Sequence, residues 1–168
     1  MMETLRNKVT ESGIVTLDLE PFYPKEKVVL IDIKDFLFME MILKEKDFRE
    51  ALKQTNWQQF QGAIVGIICT ADAIIPLWAY MLIVSYLQPV ASYVGVGDKS
   101  ALLQQKFIFN LQQIHLEPYQ GARIVIKGCG DVKVEAYAYA EITRILLPVA
   151  KSIMYGEPCS TVPVFKQK

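Results

Sequence analysis

The stretch that decides the fold is residues 61–97, QGAIVGIICTADAIIPLWAYMLIVSYLQPVASYVGVG. It recurs in altered form at residues 120–156, as QGARIVIKGCGDVKVEAYAYAEITRILLPVAKSIMYG. Each copy begins with a short, β-branched run that follows glycine, and continues with a longer run whose apolar residues stand at helical spacing. A second short apolar run closes each copy. Each copy therefore predicts a strand, a helix and a strand.

The similarity extends along most of the chain when the sequence is shifted against itself by 59 residues. QGA then falls on QGA, and PVA falls on PVA. One extra residue in the second copy moves the shift to 60 and places Cys69 on Cys129, before a later gap restores 59. We interpret this as an internal duplication, with repeats at residues 43–98 and 102–157. The alternative is two independent α/β units that share generic patterning.

Further elements follow from the same patterns. DFREALKQ and KFIFNLQQ predict a helix entering each repeat, and GIVTLDL and KVVLIDI predict two strands within the N-terminal residues 1–42. This alternation predicts an α/β fold with a mainly parallel sheet and helices on its faces, built from a duplicated α-β-α-β unit. The length suits a single domain over residues 1–168. Pro158 and Pro163 predict an extended C-terminal arm at residues 158–168 rather than a helix.

Composition excludes several classes of protein. The chain has 168 residues, of which 52% are hydrophobic and 21% charged, so it is not a disordered chain. Eighteen basic and eighteen acidic residues cancel, and no Lys/Arg cluster stands out, so we expect no nucleic-acid partner. The polar N-terminus is unlike a secretory signal. The chain also has three widely spaced cysteines and no CxxC pair. Together with this N-terminus, they predict reduced thiols and a cytoplasmic protein.

One uncharged run, residues 73–97, is long enough to suggest a membrane span. Pro76 and Pro89 bracket a helix-sized piece of it, and the corresponding helix of the second copy carries charges, as expected for a helix on the protein surface. We therefore expect a helix packed on a sheet, followed by a strand, and no membrane partner. The surplus apolar surface needs cover from another layer or a second subunit, so we expect a homodimer.

Cysteines and carboxylates follow the predicted strands, where ligands bind in open α/β sheets. The candidate ligand-binding residues are Cys69, Asp72, Cys129, Asp131, Glu157 and Cys159. The three cysteines are candidate ligands for a metal ion, zinc or iron, although their spacing matches no known zinc or iron–sulfur pattern. The first hypothesis is therefore a protein that binds a small ligand or a metal ion at this cluster.

Structural, non-functional roles for these residues also remain open. The cysteines would be small buried hydrophobic residues, and the aspartates would cap the following helices. The protein would then be a non-catalytic structural or interaction protein that dimerises through its apolar helix. The sequence has no GxGxxG, GxxxxGK[ST] or GxSxG motif, so it predicts no catalytic residue, and enzymatic activity is left open.

Several strings carry a resemblance to a known family. They are LDLEPFYP (17–24), DIKDFLF (32–38), KEKDFR (44–49), CTADAIIPLWAYM (69–81) and GEPCSTVP (156–163). Over nearly the whole chain the sequence resembles a bacterial, Bacteroidetes-type family of uncharacterised proteins, a domain of unknown function. The resemblance implies a full-length, single-domain member of that family. It implies no activity and no catalytic residues.

Overall fold

The computed structural model describes residues 13–128, 130–157 and 159–168, which form seven strands and four α-helices. The strands are β1 (Ile14–Asp18), β2 (Val28–Asp32), β3 (Ile64–Ile68), β4 (Tyr93–Val96), β5 (Arg123–Lys127), β6 (Ser152–Glu157) and β7 (Ser160–Lys166). The α-helices are α1 (Glu45–Gln54), α2 (Leu77–Leu87), α3 (Lys99–Gln112) and α4 (Ala136–Leu146). The predicted α/β class is confirmed. The element order also agrees with the sequence patterns, except that β7 is added where they indicated an extended arm.

The strands form two sheets, whereas we predicted a single mainly parallel one. One sheet has the order β2-β3-β4 and the other the order β1-β5-β6-β7. Every pairing is parallel except that of β6 with β7. The difference arises because β1 and β2 follow one another in sequence but pair with strands of different repeats. An apolar pattern identifies a strand but not its neighbour.

The chain divides into two compact units, each containing one sheet. The central unit is Pro24–Lys106, with the sheet β2-β3-β4. The terminal unit combines residues 13–23 with Phe107–Lys168 and contains the sheet β1-β5-β6-β7. The single domain expected from the chain length stays a prediction.

In the central unit, one face of the sheet packs against α1 and α2. Val65 and Ile67 of β3 are buried in the same cluster as Phe48 of α1 and Ile83 of α2. Phe48 is fully buried, and its ring meets the ring of Trp78 edge-on at 5.9 Å. The helical spacing of the apolar residues in α1 and α2 is therefore explained by this shared core.

The terminal unit buries the residues that stand 59 positions further along the chain. Phe107 of α3 and Ile142 of α4 occupy its core with Ile124 and Ile126 of β5. The strand pairing has the same offset, because Ile64 pairs with Tyr93 in one sheet and Arg123 pairs with Ser152 in the other. The N-terminal strands also correspond, with Val28 opposite Ile64 and Ile14 opposite Arg123.

This register differs from the sequence alignment of the two predicted repeats. A constant offset of 59 makes Ile64 correspond to Arg123 and Cys69 to Gly128, so Cys69 and Cys129 are not equivalent positions. The alignment with a shift of 60 was chosen because it matches identical residues. Strand register is instead determined by which side chains face the helices, since moving a strand by one residue turns its apolar side chains to the other face of the sheet.

The uncharged run at residues 73–97 contains α2 and β4, as the sequence predicted. Across the described ranges, no helix combines the length and the apolar composition needed to cross a membrane. Ile74, in the loop before α2, and two residues of α2 itself nevertheless face outward. Ile74, Leu77 and Met81 are 96%, 80% and 71% exposed.

Candidate functional site

A pocket opens in the central unit at the carboxyl ends of β3 and β4, and we call it the β3–β4 pocket. Its volume is about 540 Å³. The lining residues are Cys69, Ala71, Ala73, Ile75, Leu77, Tyr80 and Val96. They come from the loop between β3 and α2, from the first turns of α2, and from the last residue of β4. This is the edge of a parallel sheet where ligands bind in open α/β folds.

The first residues of the β3–α2 loop are held by a carboxylate from the neighbouring strand. Asp32, the last residue of β2, accepts hydrogen bonds from the backbone N–H of Thr70 at 3.1 Å and from the Thr70 hydroxyl. The same side chain accepts the backbone N–H of Lys34 at 2.9 Å and so caps the short 3₁₀ helix that follows β2. Thr70 lies between Cys69 and Ala71, which both line the β3–β4 pocket, so Asp32 holds the segment that carries these two lining residues.

The protonation of Asp32 reflects these contacts. Partial burial raises the pKa of the Asp32 carboxyl group, but the hydrogen bonds from Thr70 and Lys34 and the positive charge of Lys34 outweigh it. The pKa of Asp32 therefore lies below its usual value, and the group is an anion at neutral pH. The ionised form is the one that accepts all three hydrogen bonds.

Two polar side chains line the otherwise apolar β3–β4 pocket. The half-buried Cys69 donates its thiol hydrogen to the carbonyl of Ala71, with sulfur and oxygen 3.6 Å apart. Tyr80 supplies a phenolic hydroxyl, which both donates and accepts hydrogen bonds. An apolar cavity with a few polar groups is typical of small-molecule sites, because the apolar walls contribute affinity and the polar groups orient the ligand.

The terminal unit carries different side chains at the corresponding positions. Gly128 replaces Cys69, Tyr139 replaces Tyr80, and Tyr155 replaces Val96. The rings of Tyr139 and Tyr155 meet edge-on at 5.4 Å and line a smaller cavity of about 330 Å³. A Cβ atom at Gly128 would lie 2.6 Å from the Tyr139 hydroxyl, so a larger residue there would require the Tyr139 side chain to shift. Among the described residues, a thiol lines the pocket of the central unit and none lines the smaller cavity of the terminal unit.

The structure separates the predicted site residues of the central unit. Cys69 lines the β3–β4 pocket, whereas Asp72 is exposed in the same loop and is not among the lining residues. The capping alternative is wrong for Asp72 and Asp131. Helix α2 begins after Pro76, helix α4 begins after Glu135, and neither helix start receives a side-chain cap.

The other candidates belong to the terminal unit. Asp131 is exposed in the loop before α4, and Glu157 and Cys159 are exposed around the turn that joins β6 to β7. Cys129 lies outside the described residues. Strands β3 and β5 lie in different sheets and are not paired with each other. The binding of a metal ion by the three cysteines stays a prediction.

No group of three or more His, Cys, Asp or Glu side chains within the described ranges is arranged to hold a metal ion. The charged groups at the edge of the terminal sheet pair with one another instead. Lys127 lies 3.3 Å from Asp18. A hydrogen bond to Asp18 and the negative charge of Asp18, followed by that of Glu157, raise the pKa of Lys127. The Lys127–Asp18 contact is therefore a solvated ion pair at this edge.

Sequence reasoning missed Asp32, Tyr80 and Val96 as parts of the site. For Asp32 a signal was present, because IDIKDF and LDLEPF share an aspartate at the end of a strand and a phenylalanine four residues later. Asp18 in the second of these strings likewise accepts a backbone N–H two residues on, at 3.0 Å. Tyr80 and Val96 carry no such signal, since their role depends on two elements meeting.

Comparison with known families matches residues 3–167 to the family described as "Protein of unknown function (DUF2480)". No curated protein matches the chain, and no solved structure matches it either.

Proposed function

Because the chain belongs to the DUF2480 family, whose function is unknown, its activity must be inferred from its site, and we propose that it binds a small, mainly apolar molecule. The ligand occupies the β3–β4 pocket. The observation that carries this proposal is an open pocket of about 540 Å³ at the carboxyl edge of a parallel sheet, whose lining side chains are aliphatic except for one thiol and one phenol.

The lining defines the class of ligand. Alanine, isoleucine, leucine and valine side chains favour an aliphatic or aromatic body. The Tyr80 hydroxyl and the Cys69 sulfur favour one uncharged hydrogen-bonding group on that body. The lining residues include no charged side chain, which argues against a strongly ionic ligand in this pocket. A substituted phenol or a comparable neutral molecule has the required chemistry.

The experiment uses p-cresol as the probe and Val96→Tyr as the variant. This variant introduces at position 96 the residue that the terminal unit carries at the corresponding position 155, and so fills the pocket with a ring. We expect p-cresol to bind the unmodified protein in a titration followed by NMR, and the variant to bind at least tenfold more weakly. Val162→Tyr, at an exposed position of β7, is the matched control and should bind as the unmodified protein does.

Alkylation mapped by mass spectrometry gives a second measurement. Saturating p-cresol should slow the reaction of iodoacetamide with Cys69 and leave the exposed Cys159 unaffected. Equal p-cresol affinity in the unmodified protein and Val96→Tyr would overturn the proposal, as would a Cys69 that p-cresol does not protect.

Metal binding is retained as a separate proposal for Cys69, Cys129 and Cys159, with zinc or iron as the metal. What supports it is the chemistry of thiolate ligands alone. Elemental analysis of protein purified without chelators tests it. A stoichiometric metal that is lost in Cys69→Ser would support this site, and a metal-free protein would remove it.

A second candidate function is homodimerisation through α2. The exposure of Ile74, Leu77 and Met81 favours it, because neighbouring apolar side chains in contact with water mark association surfaces. Light scattering coupled to size exclusion should give twice the chain mass, and Met81→Glu should restore the single-chain mass. Gln104→Glu, on the exposed side of α3, is the control. A monomeric unmodified protein would contradict this function.

We also infer that the two units arose by duplication within a cytoplasmic protein. The constant offset of 59 in strand pairing and in core positions supports the duplication. Reduced cysteines support the location. Isolation of the protein from fractionated cells tests the location, and recovery in a membrane or secreted fraction would contradict it.

A further inference from the structure

A row of polar and cationic residues crosses the terminal sheet at the amino ends of β5 and β6. Strand pairing places Ile14 beside Arg123, Arg123 beside Ser152, and Ser152 beside Lys166. Paired residues on adjacent strands point to the same face of a sheet. The core residues Ile124 and Ile153 point to the helix side, so this row lies on the opposite face.

The row forms one wall of a cavity of about 490 Å³. The lining residues are Ile14, Arg123, Lys151, Ser152, Met154 and Lys166. Three of them are cations and none is an anion. Among the described residues, neither Arg123 nor Lys151 nor Lys166 forms an ion pair with a carboxylate. The three positive charges around this cavity repel each other, and a bound anion would offset that repulsion.

The central unit shows that the fold does not require charge in this row. At the corresponding positions Ile64 replaces Arg123, and Tyr93 replaces Ser152. Ile64 is fully buried there, whereas Arg123 is exposed. The central unit therefore has uncharged residues where the terminal unit has Arg123 and Ser152, although β3–β4 and β5–β6 have the same register. Lys166 lies on β7, which has no counterpart in the central sheet. The cations of this row are thus specific to the terminal unit.

We propose that this cavity, which we call the cationic pocket, binds a small phosphorylated molecule. Arg123 and Lys166 stand two strands apart, about 10 Å between backbones, with Ser152 between them. The guanidinium group of Arg123 matches the paired oxygens of a phosphate, the two ammonium groups neutralise its charge, and the Ser152 hydroxyl donates to a remaining oxygen. This pocket is separate from the β3–β4 pocket, and the inference does not depend on the proposed function.

Calorimetric titration with pyrophosphate in a dilute chloride buffer at pH 7.5 tests the proposal. We expect one site per chain, with affinity that falls as sodium chloride is added. Arg123→Gln and Lys166→Gln should each weaken pyrophosphate binding at least tenfold. Lys151→Ser introduces the residue that the central unit carries at the corresponding position 92, and it should also weaken pyrophosphate binding. Lys46→Gln, an exposed lysine of α1, should bind as the unmodified protein does.

Further comparisons separate the possible outcomes. Malonate carries two carboxylates, and we expect it to bind at least tenfold more weakly than pyrophosphate; equal binding would overturn the assignment to phosphate. An equal loss in Lys46→Gln would show that only overall charge matters and would also overturn it. Arg123→Gln should retain p-cresol binding, so failure of one pocket is distinguishable from failure of the other. A circular dichroism spectrum unchanged by substitution confirms that each variant is folded.

Discussion

Replacing Asp32 with alanine tests the link between the fold and the β3–β4 pocket. The change removes one carboxylate that accepts the backbone N–H groups of Lys34 and Thr70 and the hydroxyl of Thr70. Loss of a capping aspartate costs about 1 kcal/mol. Hydrogen bonds to a charged acceptor add about 1.5 kcal/mol or more when buried, and less here because Thr70 is exposed. We therefore expect Asp32→Ala to lower the free energy of unfolding by about 2 kcal/mol.

Urea denaturation followed by tryptophan fluorescence is the suitable assay. The two tryptophans, Trp57 and Trp78, both lie in the central unit, so their signal reports the unit that contains Asp32. Asp35→Ala is the matched control, because Asp35 is an exposed carboxylate in the same 3₁₀ helix. The variant should also bind p-cresol more weakly, since the β3–α2 loop is no longer held.

The stability that Asp32 contributes should decrease as the pH falls. The pKa of Asp32 is lowered in the folded protein, so its contribution is present above the unfolded-state pKa, about 4. That contribution is lost as the pH falls through the lowered folded-state value. The stabilities of Asp32→Ala and the unmodified protein should therefore differ at pH 7 and converge in acid. A difference no larger than that of Asp35→Ala, or one that persists unchanged in acid, would refute the reasoning.

Four other substitutions have expected outcomes. Phe48→Ala and Phe107→Ala each empty a fully buried site in one unit, and each should cost about 3–5 kcal/mol in denaturation followed by circular dichroism. Gly66→Ala places a Cβ atom 2.7 Å from methyl groups of two leucines and 2.9 Å from the carbonyl oxygen of Gly97, so the melting curve should show a loss of about 1–3 kcal/mol. Glu141→Gln weakens the contact with Arg144, a hydrogen bond that lowers the pKa of Glu141; a loss of about 0.5 kcal/mol at pH 7 should disappear as the pH falls below that pKa.

The local elements of both repeats could be read from the sequence. The runs that form β3 and β5 are short and β-branched, and those that form α2 and α4 have apolar residues at helical spacing. These signals are periodicities of neighbouring residues, and they reflect which side of each element is buried. The sequence also predicts a ligand site at the carboxyl ends of the strands, and the β3–β4 pocket lies at that edge.

The partners of the strands, and therefore the site, depended on tertiary structure. β1 and β2 have similar sequences, and nothing local assigns β1 to β5 or β2 to β3. Sequence alignment paired Cys69 with Cys129 because their letters agree. The strand register pairs Cys69 with Gly128 because burial against the helices determines it.

The sequence by itself therefore determined the α/β class, the alternation of elements and the apolar faces, since each follows from residues close together in the chain. Only the tertiary structure decided that there are two sheets, that Cys69 shares a pocket with Tyr80 and Val96, and that Arg123, Lys151 and Lys166 share another. Such groupings join residues that are distant in sequence. They arise from the pairing of strands and the packing of helices. Every residue of a core contributes to that pairing and packing, and no short motif encodes them.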